Sequence, residues 1–263
     1  MSNQRGHALT SQPGDEDLAL LILAVDTTSQ RRSIALAKGN QMLGMLAADG
    51  AGTHSWQLHD EIDLLLKKLD LRLDQMDVFG VTTGPGSFTG LRVGLAAIKG
   101  LAHSLSKPVV GVSSLEAVAR SSGVSGPICA CIDALRGEIY AQLFEVNPDG
   151  SVNPLTEPNL ALPSHVYASL ADEPAITFVG DGALSSLEIL KDEAAILRRE
   201  VIVSPVAQGL DEGWVVIQTA PFLAPAVASL AATEYQAGHT QTAMALAALY
   251  VRASDAEVKR RTP

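Results

Sequence analysis

What this sequence lacks narrows its function before any motif is read. None of its 263 residues belong to an apolar run of the roughly 18 residues that a membrane helix requires; the run at residues 18–25 is closed by Asp26. No membrane span is expected. The first residues, with Pro13-Gly14 and early acids, lack the basic flank and apolar middle of a signal peptide, so residues 1–19 are read as a flexible tail of a cytoplasmic protein. Cysteine is scarce. Cys129 and Cys131 are the two present, and on a strand they point the same way, too close for an ordinary disulfide, so reduced core thiols are expected. The six histidines are scattered without ligand spacing, and no Gly-x-Ser-x-Gly or His-Glu-x-x-His run occurs. No metal site and no catalytic residue is assigned. Basic charge is also short: a net charge of −10 leaves little for a broad nucleic-acid surface. Any tRNA contact is expected to be indirect, with another protein holding most of the nucleic acid.

What is present is an alternation of apolar segments typical of an α/β protein. Residues 20–26, 33–37 and 42–47 read as three strands, the last two joined by the turn Lys38-Gly39-Asn40. Residues 55–69 carry Leu58, Ile62, Leu65, Leu66 and Leu69 at helical spacing, with Thr53 or Ser55 as cap. A strand at 78–82, a helix at 88–105, a strand at 108–112 and a helix at 114–120 complete a βββαβαβα order. The same order is traced again in strands at 127–133, 138–146 and 155–161, a helix after Pro163, a strand at 175–179, a helix at 184–190, a strand at 200–203 and a helix at 222–236. Two such lobes form the actin-like, ribonuclease H-like (ASKHA) fold. The predicted division is a tail (1–19), an N-terminal lobe (20–120) with helix 222–237 packed on it, a C-terminal lobe (121–221), and a C-terminal segment (238–263).

Two segments carry candidate chemistry. Asp26-Thr27-Thr28-Ser29 ends the first strand, where an acid and hydroxyls either close a turn or face nucleotide phosphates. Thr82-Thr83-Gly84-Pro85-Gly86-Ser87 leads into a helix, and its glycines permit either a tight turn or an anion cradle at the helix start. A Walker loop needs a Lys after its last glycine, and here Leu91-Arg92 follow Gly90. The helix itself is rich in small residues: Gly90, Gly94, Ala96, Ala97, Gly100 and Ala102. Each helical glycine costs about 1 kcal/mol relative to alanine, so a close backbone approach is expected. Its second cover is either the helix at 55–69 or a partner protein.

The run from Gly84 to Ala102, Gly-Pro-Gly-Ser-Phe-Thr-Gly-Leu-Arg-Val-Gly at its start, closely resembles the hallmark of the TsaB (YeaZ) family. Leu23-Ala24-Val25-Asp26-Thr27, His54-Ser55, Gly111-Val112-Ser113-Ser114-Leu115, Ile132-Asp133-Ala134-Leu135-Arg136-Gly137-Glu138-Ile139-Tyr140 and Tyr250-Val251-Arg252-Ala253-Ser254-Asp255-Ala256-Glu257 resemble further family stretches in order. The resemblance implies a non-catalytic partner subunit of the TsaD-like catalytic paralogue and the TsaE-like ATPase. That system transfers a threonylcarbamoyl group to adenosine 37 of tRNAs reading codons that start with A. It also implies pairing through the first two helices, with Leu58, Ile62 and Leu65 on one and Leu91, Gly94, Ile98 and Leu101 on the other. The same apolar interface allows a homodimer when the chain is alone. Asp26, Thr27, Gly84 and Gly86 are then relics of a nucleotide fold, with no tightly bound cofactor and with ATP or ADP at the complex interface left open. Where the paralogue carries a His-x-x-x-His metal motif, this chain offers Ser114 and Val118. The alternatives are a stand-alone ATPase or kinase and, last, a glycopeptidase.

Overall fold

A computed structural model describes residues 20–50, 58–205, 212–249 and 251. Two sheets organise the chain. The first is built from β1 (Leu21–Asp26), β2 (Arg31–Lys38), β3 (Gln41–Asp49), β4 (Val78–Gly84) and β5 (Val109–Ser113), in the order β3-β2-β1-β4-β5. Strands β1 to β3 form an antiparallel meander, and β4 and β5 add in parallel. The second sheet repeats this plan with β6 (Gly126–Asp133), β7 (Ile139–Val146), β8 (Val152–Pro154), β9 (Asn159–Ala161), β10 (Ala175–Val179), β11 (Val201–Ser204) and β12 (Gly213–Ile217). Its order, β8-β7-β6-β10-β12-β11, superimposes in topology on the first up to one added edge strand. This duplicated layer is the actin-like, ribonuclease H-like fold expected from the sequence.

Helices fill three layers around the sheets. On the outer face of the first sheet lie α1 (Leu58–Lys68) and α2 (Phe88–Leu105), sharing a core with Leu23, Val25, Phe79 and Val81. Between the sheets lie α3 (Ser114–Arg120) and α7 (Ala224–Gln236), whose alanine-rich faces join both sheets into one core. Gly80 on β4 lets α7 come close: a Cβ there would sit 3.1 Å from Ala231 and 3.2 Å from Val227. On the outer face of the second sheet lie α4 (Pro163–Ala168), α5 (Asp181–Ser185) and α6 (Leu187–Ile196). There Tyr167, Phe178 and Trp214 stack edge to face, with centroids 5.5 and 5.1 Å apart. Among the described residues, no helix is long and apolar enough to cross a membrane.

Local chemistry explains the element ends. In α1 the acids Asp60 and Glu61 open the helix and Lys67 and Lys68 close it, matching the helix dipole. Ser87 caps α2 by accepting from the Gly90 N–H, and Ser106 ends it in the left-handed region at φ 53°. Three sequence expectations change. The strand placed at 155–161 is two short strands, β8 and β9, both paired with β7. The helix placed at 184–190 is two helices broken at Ser186, whose hydroxyl donates to the Gly182 carbonyl at 2.5 Å and meets the Tyr167 hydroxyl at 2.6 Å. Strand β12 was not expected at all, although it lies between β10 and β11 and is buried throughout. The proposed cap at Thr53 or Ser55, the His54-Ser55 start and the motif beginning at Tyr250 fall outside the described residues, apart from Val251.

Cys129 and Cys131 are free and buried, with sulfurs 3.7 Å apart. The neighbouring Cys129 thiol, together with burial, pushes the Cys131 thiol well above its ordinary value. Such thiols are unreactive core groups.

Candidate functional site

Asp26 ends β1 with its side chain fully buried. One carboxylate oxygen accepts three hydrogen bonds, from Thr28 N–H (3.0 Å), Thr28 Oγ1 (2.6 Å) and Thr82 Oγ1 (2.8 Å). The other oxygen, also buried, has no hydrogen-bond partner among the described residues. Burial raises the Asp26 carboxyl above the usual carboxylate range, against these hydrogen bonds, and the nearby charge of Asp181 adds to it. Asp181 opens α5 and accepts from the Asp133 N–H at 3.0 Å. Burial again raises its carboxyl, with Asp133 as a further cause. Thus the C-terminal ends of β1 and β6 and the start of α5 bring three acids into one neighbourhood. Among the described residues, no lysine or arginine is paired with them, and no group of three ligating side chains could hold a metal.

The glycine turn meets Asp26's own turn. Ser87 N–H donates to the Thr28 carbonyl at 2.7 Å, and Thr27 Oγ1 donates to the Gly90 carbonyl at 2.7 Å. A Cβ on Gly86 would lie 2.5 Å from the Thr28 carbonyl oxygen; one on Gly90 would run into the Thr27 carbonyl, and one on Gly94 into the Thr27 hydroxyl. Gly84, with φ 108°, faces the Leu249 carbonyl, whose N–H donates to Thr83. So Asp26, Thr27, Gly84 and Gly86 are brought together at one place, and the glycines there serve the close approach of α2 to the Thr27-Thr28 backbone.

Gly100 differs. It is exposed, and a Cβ there would meet nothing within 4 Å. With exposed Ala96 one turn earlier, it forms a shallow strip on the outward face of α2, flanked by Phe88 (38% exposed) and Val93 (41%). On α1, Leu64 is 46% exposed. The residues expected to touch a partner lie elsewhere: Leu58, Ile62, Leu65, Leu91 and Ile98 are buried in the chain's own core, Gly94 is buried against Thr27, and Leu101 is half-buried. The reason is geometric, because helical spacing marks the stripe facing the sheet. A body resting on these helices would meet Leu64, Phe88, Val93, Ala96 and Gly100.

At the joint after β5, Ser114 is fully buried and donates to Thr28 Oγ1 at 3.4 Å, while Val118 packs between the sheets. Neither offers a nitrogen to a metal. One cavity of about 280 Å³ opens beside this joint, lined by Val110, Gly111, Val112, Glu116, Leu230, Glu234, His239 and Gln241. Burial, then the Glu234 charge, pushes Glu116 up to about 7. Convergence of Asp133 and Asp181 on Asp26 was missed in the sequence. A usable signal existed, since Cys131-Ile132-Asp133 ends its strand as Ala24-Val25-Asp26 does.

Against known proteins, the family model for TsaD, tRNA N6-adenosine threonylcarbamoyltransferase, matches residues 34–157. The tRNA threonylcarbamoyladenosine biosynthesis protein TsaB of Bacillus subtilis is 27% identical over 174 residues, covering 66% of this chain and 76% of that one. The Haemophilus influenzae TsaB is 36% identical over 46% of this chain and 52% of its own. In three dimensions, YeaZ of Pseudomonas aeruginosa matches with a TM-score of 0.69 at 22% identity, over 88% of this chain and all (100%) of that one. Together these matches support a TsaB (YeaZ) family assignment. Within that family assignment the hallmark run from Gly84 acquires two physical parts: an inner seam of glycines against Thr27-Thr28, and an outer strip around Gly100.

Proposed function

We propose that this TsaB-family chain serves tRNA threonylcarbamoyladenosine biosynthesis as a non-catalytic subunit that docks on a TsaD-like catalytic paralogue, with a TsaE-like ATPase as third component. The observation carrying the docking role is the outward strip of α2. A glycine at position 100 costs the helix about 1 kcal/mol and gains no packing against the described residues, as expected of a residue kept for close approach by another body. Ser114 and Val118 at the joint support a subunit without metal chemistry. The acidic net charge supports tRNA being held by the partner. The test is co-purification with the paralogue. Gly100→Arg, at an exposed position with open space, leaves the fold intact and is expected to abolish the complex; undiminished co-purification would remove α2 from the docking surface.

One observation favours a second reading, a nucleotide-using enzyme: the unpartnered buried oxygen of Asp26. Calorimetry with Mg-ATP on the isolated chain separates the two. Binding and turnover that disappear in Asp26→Ala would select the enzyme.

A further inference from the structure

The cavity beside β5 is walled on four sides. Strand β5 is the edge of its sheet, and Val110 and Val112 turn inward with Leu230 of α7 into the core between the sheets. After α7 the chain doubles back: His239 N–H donates to the Glu234 carbonyl at 2.8 Å, and Gln241 exchanges two backbone hydrogen bonds of 2.9 Å with Val109. This return closes a space of about 280 Å³ against β5, α3 and α7. Glu116 from α3 and Glu234 from α7 both face it. Glu234 Oε2 lies 3.1 Å from His239 Nδ1. Glu116 has no hydrogen-bond partner among the described residues. Arg120, one turn along α3, is directed elsewhere: its guanidinium bonds the Ser229 hydroxyl at 3.2 Å and lies against Gly150. Glu116 is thus withdrawn from water beside a second carboxylate with no cation opposite, and these two causes hold it at about 7. A carboxyl kept at that cost, opening on a cavity, marks a place where a ligand supplies the missing charge.

We propose that this cavity is a binding site for an alkylammonium group, its charge held between Glu116 and Glu234 and its methylenes laid against Val110, Val112 and Leu230. An ammonium carries three N–H donors and no acceptor, which suits carboxylates converging from two helices. A bare metal ion is matched less well, since no group of three ligating side chains among the described residues could hold one. An anion would meet two acids. The space admits a chain of a few carbons, so the ammonium comes either from a free polyamine or from a lysine side chain. On binding, Glu116 releases its proton to solvent and the two acids and the cation form a triad. About a tenth of Glu116 is ionised at pH 6 and about nine-tenths at pH 8, so affinity rises with pH across that range.

The test records amide and methyl NMR spectra of the full chain titrated with spermidine, with Nα-acetyl-lysine amide, and with tetramethylammonium, which has the charge and no N–H donor. The first two are expected to shift the Gly111 amide and the Val110 and Val112 methyl groups, and the tighter of them identifies the source; tetramethylammonium should leave these signals in place. Affinity should be about tenfold higher at pH 8 than at pH 6, a comparison that needs no variant. His239→Gln, with no imidazole to charge, should keep that difference. Glu116→Gln and Glu234→Gln preserve shape, and each should weaken binding at pH 8 about tenfold or more. Glu116→Gln should also remove the pH dependence, whereas Glu188→Gln, on α6 of the other lobe, should do neither. No shift with either amine at about 10 mM, or equal affinity at pH 6 and pH 8, would overturn the site. Undiminished binding in Glu116→Gln would overturn it too, because the amine would then be gathered diffusely by the net charge of −10.

Discussion

The two lobes close their first strand with the same device and then diverge on their outer faces. In each, an acid ends the strand and glycines let the next strand-to-helix joint lie on the backbone beside it: Gly86 and Gly90 against Thr27-Thr28 in one lobe, Gly180 and Gly182 against Cys131 and Ile132 in the other. The helix that follows runs 18 residues in the first lobe and five in the second. The second lobe fills its outer layer with Tyr167, Phe178 and Trp214. In the first, α1 and α2 cover the sheet with aliphatic residues and leave a strip of small residues facing out. A duplicated fold has thus kept its inner seams in both halves, while one outer face is filled by aromatic packing and the other shows a strip of small residues among the described residues.

The largest test of this contrast is Trp214→Ala, which empties the aromatic layer of the second lobe and is expected to cost about 3–5 kcal/mol. Because α3 and α7 join both sheets in one core, thermal unfolding should remain a single transition. Two separated transitions would mean that the lobes are held together less tightly than that core implies.

Next come the paired seams. Gly90→Ala drives a methyl group into the Thr27 carbonyl, and Gly180→Ala drives one into the Cys131 carbonyl at a φ of 112°. Each is expected to destabilise the chain by about 3 kcal/mol. Denaturant unfolding checks whether the two costs match, as equivalent joints require.

The layer between the lobes gives a pH test. Glu116 ordinarily titrates at 4.5 and is held at about 7 in the folded chain. The folded state therefore keeps a proton that the unfolded state releases, so this group's contribution declines as pH rises from about 4.5 to 7 and stays low above that. Glu116→Gln should flatten the profile and raise stability at pH 8 by at most about 3 kcal/mol. Urea midpoints at pH 5 and pH 8 measure it.

The smallest effect is also the most discriminating. Gly100→Ala, on the same helix as Gly90, should stabilise the isolated chain by up to about 1 kcal/mol, because its new methyl group meets open space. The same change should weaken docking. Opposite signs at two glycines of one helix separate the inner seam from the outer strip.

Much of this architecture was legible beforehand because it is local. Helix α2 runs over residues 88–105 as its pattern predicts, since the cap at Ser87 and the apolar spacing lie within the segment. Strand β12 was missed because four apolar residues after Gly213 have no period of their own, and only its neighbours β10 and β11 make it a strand. The site was half legible. Periodicity found the apolar stripe containing Leu58, Ile62 and Ile98 but could not say whether the chain or a partner covers it. Nor could it foresee that Gly90 meets Thr27, 63 residues away. The approach of Asp181 to Asp26 likewise joins segments far apart in the sequence and is written in neither of them.

The most direct measurement is threonylcarbamoyladenosine in bulk tRNA from cells depleted of this protein and complemented with its variants. On the proposed docking role, depletion should lower the modified nucleoside, and the wild type and Asp26→Asn should restore it. Gly100→Arg should fail to restore it. Normal levels after depletion, or rescue by Gly100→Arg together with failure of Asp26→Asn, would contradict a docking subunit and point to chemistry at Asp26.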